Sequence, residues 1–179
     1  YFGEEVVIAS ARDITERKKA EDLIRESEQL FRSVWEYSSE GMRLTDTEGT
    51  IRSVNDAYCK LVEKPREEME GYSFALIYGD ENYRNSEVKF KNRFISGEIK
   101  TFFETEVTFW NGKKKWIALS NSFITIDNKR KYLLSIFRDI TERKKYENLQ
   151  QALYDISESA SSSVSLDELY LKIHYIIKN

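Results

Sequence analysis

The residue types that most often carry catalysis are scarce in this chain, and they are not grouped. The single cysteine, Cys59, lies at helical spacing from Asn55, which favours a small core side chain over a reactive thiol. The single histidine, His174, lies far from it, near the end of the sequence. The sequence shows no pair of carboxylates or base–nucleophile set that stands out, and it has no nucleotide-binding glycine loop. It therefore predicts no catalytic residues and no metal site, and it points to binding or signalling.

A pair of polar residues, Asp139 and Thr141, lies at a junction that the chain repeats. The heptapeptide Asp-Ile-Thr-Glu-Arg-Lys-Lys occurs at Asp13–Lys19 and at Asp139–Lys145, each time between a β-rich run and a charged helical stretch. A repeat at domain-scale spacing indicates one strand-to-helix junction used twice in a tandem array. Asp139 can bond the backbone or pair with a basic neighbour, and Thr141 can cap the helix. The alternative is a plain helix cap with no signalling role.

The composition gives no sign of a nucleic-acid or membrane protein. The 179 residues are 40% hydrophobic and 33% charged, with a net charge of −3, which allows one core with extensions. The slight acidity gives no reason to expect nucleic acid or an anionic membrane as a partner. One cysteine excludes a disulfide framework and fits a reducing compartment. Because no apolar run approaches the ~20 residues of a membrane span, we expect a cytoplasmic chain without direct membrane contact.

Hydrophobic periodicity predicts an α+β domain between two amphipathic helices. The first helix runs from Thr15 to about Tyr37, and the last covers residues 141–160. Between them, two short strands over 41–45 and 50–54 form a hairpin around turn residues 46–49, and Asn55 begins a short helix. The other predicted elements are a short helix from Pro65, a helix over 82–96, and antiparallel strands over 101–110, 115–126 and 131–138. Together they give one antiparallel sheet of about five strands.

The same patterns divide the chain into five segments. Residues 1–14 are expected to hold the end strand of a truncated upstream module, with a disordered tail as the alternative. Residues 15–38 form a linker helix, residues 39–140 the domain itself, and residues 141–160 an exit helix. Residues 161–179 look like the start of a truncated downstream domain.

The order and spacing of these motifs resemble a PAS domain, the sensory box of histidine kinases and cyclic-dinucleotide enzymes, over roughly residues 27–145. The motifs that carry the resemblance are Gly49-Thr50-Ile51 leading into Val54-Asn55-Asp56-Ala57, Glu67-Glu68-Met69-Glu70-Gly71, Asn111-Gly112-Lys113 with Trp116, and Arg138-Asp139-Ile140-Thr141-Glu142-Arg143. The first junction resembles the end of a preceding PAS domain, and residues 152–179 are similar to the beginning of a GAF domain. The resemblance implies a five-stranded antiparallel sheet with short helices on one face and a sensory, non-enzymatic role.

A ligand pocket is expected on the inner face of that sheet. On the first long strand, Glu104 and Glu106 share one face and belong in water, so Phe103 and its alternate neighbours face inward. The second long strand is ambiguous by alternation, and the resemblance implies the inward faces of the second and third. The expected pocket comprises Phe103, Thr105, Val107, Leu119, Asn121, Ser135 and Phe137, mostly apolar with three orienting polar groups. The alternative is a filled core whose polar groups satisfy one another.

Departures from the family pattern bear on the cofactor. Flavin-binding LOV domains carry a reactive cysteine in an Asn-Cys-Arg-Phe-Leu motif, which Cys59 does not match. Haem-binding PAS domains use a histidine on the long helix, whereas His174 lies outside the domain and lacks the flanks of a kinase phosphorylation box. A covalent flavin adduct and histidine-ligated haem are therefore disfavoured, and the cofactor stays unknown.

These observations favour a cytoplasmic signal-transduction domain that binds a small ligand or partner and relays a change to an output domain in cis. The expected partner is a second copy of the chain, in a parallel coiled coil through Ala20–Val34 and Tyr146–Ala160. A ligand-free PAS dimerisation spacer is the alternative. A fragment of an enzyme such as a kinase is a third possibility, against which stands the lack of catalytic residues.

Overall fold

The computed structural model describes residues 14–79, 87–126 and 128–162 of the chain. The strand predicted over residues 4–12, the downstream segment beyond residue 162 and His174 lie outside these residues. The chain divides into two compact units, Tyr1–Ser38 and Ser39–Asn179.

The described part of the first unit is helix α1, Thr15–Tyr37. The helix has the bounds that the apolar periodicity predicts. Its seam side chains Leu23, Leu30 and Val34 are exposed to solvent in the single chain. An exposed apolar stripe of this kind is typical of a helix that a partner covers.

The second unit is built on a five-stranded antiparallel sheet. Its strands are β1 (Gly41–Asp46), β2 (Ile51–Val54), β3 (Phe102–Thr108), β4 (Lys114–Ile126) and β5 (Lys129–Asp139). Their order across the sheet is β2-β1-β5-β4-β3, so the last strand of the sequence lies at the centre. This sheet confirms the predicted α+β fold, and each predicted strand of the domain is present.

Helices connect the strands and leave the sheet at its end. In chain order they are α2 (Asp56–Val62), 3-10 turns at Arg66–Glu68 and Phe74–Ile77, α3 (Glu87–Ser96) and α4 (Thr141–Ser162). As predicted, the Asn55 side chain caps α2 by accepting a hydrogen bond from the backbone N–H of Tyr58. Gly97 ends α3 with a left-handed φ of 78°. Within the described part of the chain, no helix combines the length and apolar character needed to cross a membrane.

The core packs between the inner face of the sheet, α2 and the 3-10 turns. Its most completely buried apolar side chains are Ile51, Val54, Tyr58, Val62, Met69, Ile77, Phe109 and Ile117. The inward faces of the long strands are those expected, since Val107, Leu133 and Ser135 are buried, whereas Glu104 and Glu106 are exposed. The sheet therefore presents its apolar face to the helices and its other face to solvent.

Candidate functional site

A cavity of about 370 Å³ lies against the inner face of the sheet. Its walls come from strands β1, β3, β4 and β5, helix α3 and the residues around the second 3-10 turn. The lining residues are Arg43, Phe74, Tyr78, Lys89, Phe90, Arg93, Ile99, Lys100, Phe103, Leu119, Asn121, Leu133 and Ser135. A cavity of this size can enclose a small molecule.

Four of the seven residues predicted for the pocket line this cavity: Phe103, Leu119, Asn121 and Ser135. Val107 and Phe137 belong instead to the packed core, where the Phe137 and Tyr58 ring centres are 4.8 Å apart. Thr105 lies outside the cavity, and its hydroxyl donates to the backbone oxygen of Glu106 at 3.3 Å. Val107 and Phe137 face inward as predicted, but core side chains that include Tyr58 of α2 fill the part of the sheet face that carries them.

A row of polar side chains crosses the middle of the sheet. Asn121 on β4 pairs in register with Ser135 on β5, which pairs with Arg43 on β1. The Ser135 hydroxyl donates to Asn121 Oδ1 at 2.7 Å, and Asn121 Nδ2 donates to the backbone oxygen of Lys100 at 2.9 Å. These two predicted polar groups therefore satisfy each other, as in the filled-core alternative.

Arg43 completes the row with a buried positive charge. The residue is only 4% exposed, and its Nη1 donates to the phenol oxygens of Tyr58 at 3.1 Å and Tyr78 at 3.4 Å. Its guanidinium carbon lies 5.2 Å from the ring centre of Phe74 and 4.9 Å from that of Phe137, within cation–π range. Its buried Nε has no hydrogen-bond partner among the described residues.

The charge of Arg43 is retained in this setting. Burial lowers the pKa of its guanidinium, but the phenol oxygens of Tyr58 and Tyr78 raise it by more, so that the pKa lies above its ordinary value. Burial also raises the pKa of Tyr58, which keeps that phenol protonated. The cavity wall therefore holds a cation beside neutral partners.

Sequence reasoning missed Arg43. Alternation places Gly41, Arg43 and Thr45 on one face of a short strand, and a charged residue usually marks the face turned to water. The signal that could have found it is topology, because placing β1 beside β5 sets Arg43 opposite Ser135. The charge is buried by long-range pairing that the local pattern does not contain.

The predicted junction at Asp139 and Thr141 is held by contacts with β4. Asp139 Oδ1 accepts from the backbone N–H of Thr141 at 3.0 Å, and the carboxylate pairs with Lys115 on β4 at 3.3 Å. Burial raises the pKa of Asp139, but these donors lower it by more, so that it lies below its ordinary value. The role expected of Thr141 needs correction: Asp139 bonds the first turn of α4, while Thr141 Oγ1 accepts from the backbone N–H of Trp116 at 3.0 Å.

Further contacts tie the start of α4 to two strands. The backbone N–H of Ile140 donates to the carbonyl of Trp116 at 2.8 Å. Glu104 on β3, which the sequence predicts as simply solvated, pairs with Arg143 at 2.6 Å and with Lys144 at 3.1 Å. The first turn of α4 therefore contacts both β3 and β4.

Cys59 lies half-buried on α2, packed against the core. Burial raises the pKa of its thiol, which keeps it in the protonated, less reactive form. Among residues 14–79, 87–126 and 128–162, no group of three or more histidine, cysteine, aspartate or glutamate side chains is placed to hold a metal ion.

The family model described as "PAS fold" matches residues 35–145. The probable diguanylate cyclase DgcE of Escherichia coli (strain K12) is 34% identical over 134 residues, which are 74% of this chain and 12% of that protein. The C4-dicarboxylate transport sensor protein DctS of Rhodobacter capsulatus is 27% identical over 161 residues, 88% of this chain and 24% of that protein.

A solved structure shows the same fold. The PAS domain of Bordetella pertussis BvgS, 20% identical, superposes with a TM-score of 0.56, covering 75% of this chain and 98% of that domain. The chain spans less than a quarter of the length of the two curated relatives. The match over residues 35–145 and the shared fold lead to one conclusion: the chain belongs to the PAS family, whose members are sensory, non-catalytic domains of signal-transduction proteins.

Proposed function

We propose that this PAS domain senses a small ligand in its cavity and relays the resulting change through α4 to an output domain of the same protein. The observation that carries the proposal is the position of β4. This strand contributes Leu119 and Asn121 to the cavity wall. Its Trp116 makes one hydrogen bond with Ile140, just before α4, and one with Thr141, the first residue of α4. A shift of β4 on ligand binding therefore has a short path to the helix.

Such a relay requires a ligand that prefers one of two arrangements of the junction. The hydrogen bonds at Thr141 are each worth on the order of 1 kcal/mol. A ligand that binds one arrangement modestly more tightly than the other can therefore offset the loss of one such hydrogen bond. The mutual hydrogen bond of Asn121 and Ser135 favours the second candidate function, a ligand-free dimerisation spacer.

Removing the Asp139 carboxylate tests the relay. We expect Asp139→Ala to leave the domain folded but to uncouple the output of the full-length parent from its stimulus, because the helix start loses its bonds to Thr141 and Lys115. Output activity with and without stimulus is the measurement, and circular dichroism checks the fold. Glu142→Ala is the matched control, since this exposed carboxylate pairs with Lys145 within α4. A normal response in the Asp139 variant would reduce the junction to a helix cap.

The proposal includes a cytoplasmic parallel homodimer, formed through Ala20–Val34 and Tyr146–Ala160. Leu23 and Leu30 on α1 and Leu149 on α4 are exposed apolar side chains at the seam positions, and a second copy would cover them. We expect a dimer in analytical ultracentrifugation at high micromolar concentration, shifted towards monomer by Leu149→Glu. A wild-type chain that stays monomeric at that concentration contradicts the dimer.

A further inference from the structure

A buried guanidinium without a carboxylate partner is unusual, because removing a charge from water is costly unless an opposite charge or hydrogen bonds replace the water. Both hydrogen bonds that Arg43 makes with described residues come from Nη1 and go to neutral phenols. The main influences on the pKa of this group are burial and the two phenols, and none of them is a carboxylate. The edge formed by Nε and Nη2, the edge that binds a carboxylate in two parallel hydrogen bonds, has no carboxylate partner among the described residues.

We infer that the ligand of this cavity is a small monoanionic carboxylate that pairs with Arg43. The inference rests on the proposed function and names the class of molecule that this function requires. A bound carboxylate would supply the missing counter-charge and the missing acceptor for Nε. The same pairing would place the ligand charge beside β1, which is the neighbour of the central strand β5 and is separated from β3 by two strands.

The other charges at the cavity have the same sign. Lys89 and Arg93 on α3 and Lys100 before β3 line it with exposed side chains. Among the described residues, no aspartate or glutamate lines it, although the whole chain has a net charge of −3. A local excess of cations in an acidic chain raises the local concentration of anions and speeds their entry.

The rest of the wall limits the ligand further. Phe74, Phe90, Phe103 and Leu119 present apolar surface to the cavity. Arg43 is the buried cation of the described lining, whereas Lys89, Arg93 and Lys100 are exposed to solvent. A second negative charge held inside the cavity would therefore lie against these apolar groups. A carboxylate with an apolar body therefore fits better than a phosphate or a dicarboxylate.

The test uses benzoate and its neutral isostere benzamide as probes, titrated into the 179-residue chain. Amide chemical shifts in two-dimensional nitrogen–proton NMR spectra report binding and its location. We expect millimolar or tighter benzoate binding, about tenfold or more tighter than benzamide binding, with shifts concentrated on Leu119, Ser135 and Arg43. Inorganic phosphate in the same titration is expected to bind more weakly than benzoate.

Variants separate the charge from the cavity. Arg43→Met should remove the preference for benzoate over benzamide, and Arg43→Lys should retain part of it. Arg138→Met is the matched control, because this arginine is exposed on β5 and pairs with Glu40 outside the cavity lining. If Arg43→Met does not fold, the test is the preference of the wild-type chain for benzoate over benzamide. Added salt should weaken that preference if it depends on charge.

Each outcome has a defined meaning. Equal binding of benzoate and benzamide at the cavity would overturn the anion preference and leave the ligand-sensing proposal standing. Binding of benzoate that Arg43→Met does not change would also overturn the role of Arg43. Binding of neither probe at tens of millimolar would count against both the inference and a small-molecule ligand in this cavity.

Discussion

Asn55 and Arg43 are both buried polar residues of the first hairpin and its exit, yet the structure treats them differently. Asn55 is fully buried, its Oδ1 accepts from the backbone N–H groups of Met42 and Tyr58, and its Nδ2 donates to the carbonyl of Glu40. Arg43 lies next to Met42 on β1, and its Nε has no partner among the described residues. One side chain closes a corner of the fold, and the other keeps unused hydrogen-bonding capacity.

The kinds of neighbour explain the difference. Asn55 bonds three backbone groups, two around the start of β1 and one in α2, which leaves little room for change without unfolding that corner. Arg43 is surrounded by aromatic rings and phenol hydroxyls, which tolerate a charge without fixing all its hydrogen bonds. The side chain whose hydrogen bonds are all made, Asn55, thus holds the fold together, whereas the one with an unpaired donor, Arg43, lines a cavity.

The largest expected effect follows from breaking the satisfied corner. Asn55→Ala removes the helix cap and leaves buried backbone N–H and C=O groups unpaired, so we expect the free energy of unfolding to fall by about 3 kcal/mol. Urea denaturation measures the change. The control is Asn92→Ala, an exposed site within α3, which should change stability by less than about 0.5 kcal/mol. A loss below about 1 kcal/mol for the Asn55 variant would remove the contrast with Arg43.

A smaller effect of opposite sign is expected beside the cavity. Thr45 lies two residues after Arg43 on the same face of β1, fully buried, and its hydroxyl has no partner among the described residues. Thr45→Val keeps the shape and removes the unpaired hydroxyl, so we expect the free energy of unfolding to rise by about 1 kcal/mol. Thr125→Val, at an exposed position of β4, serves as the control in the same urea experiment. A loss of stability would show that the Thr45 hydroxyl is hydrogen-bonded. The polar groups beside the cavity would then be as fully paired as those around Asn55.

Much of the fold follows from local patterns. Alternation and charge fix the inward face of β3, Asn55 marks the start of α2, and the Asn111-Gly112 turn joins β3 to β4. These features depend on residues close in sequence, where side-chain direction and turn preference act directly. The same is true of the period that defines α1.

The candidate site depends on contacts that are distant in sequence. Whether Arg43 is buried depends on β5, and whether Glu104 is solvated depends on the first turn of α4. Neither residue differs locally from an ordinary exposed charge. The family resemblance supplied the inward faces of β4 and β5, yet which part of the sheet is left open depends on how α2 and α3 pack over it.

The strand order has a consequence for how the protein is made. β1 and β2 are synthesised early, but the neighbour that β1 needs on its other edge is β5, whose last residue is Asp139. Until the ribosome has released that strand, the nascent hairpin has an open edge and the row containing Arg43 is incomplete. Pairing across so long a loop is slow relative to local structure formation. The cavity therefore comes into existence only at the end of translation of the domain, almost together with the helix that follows it.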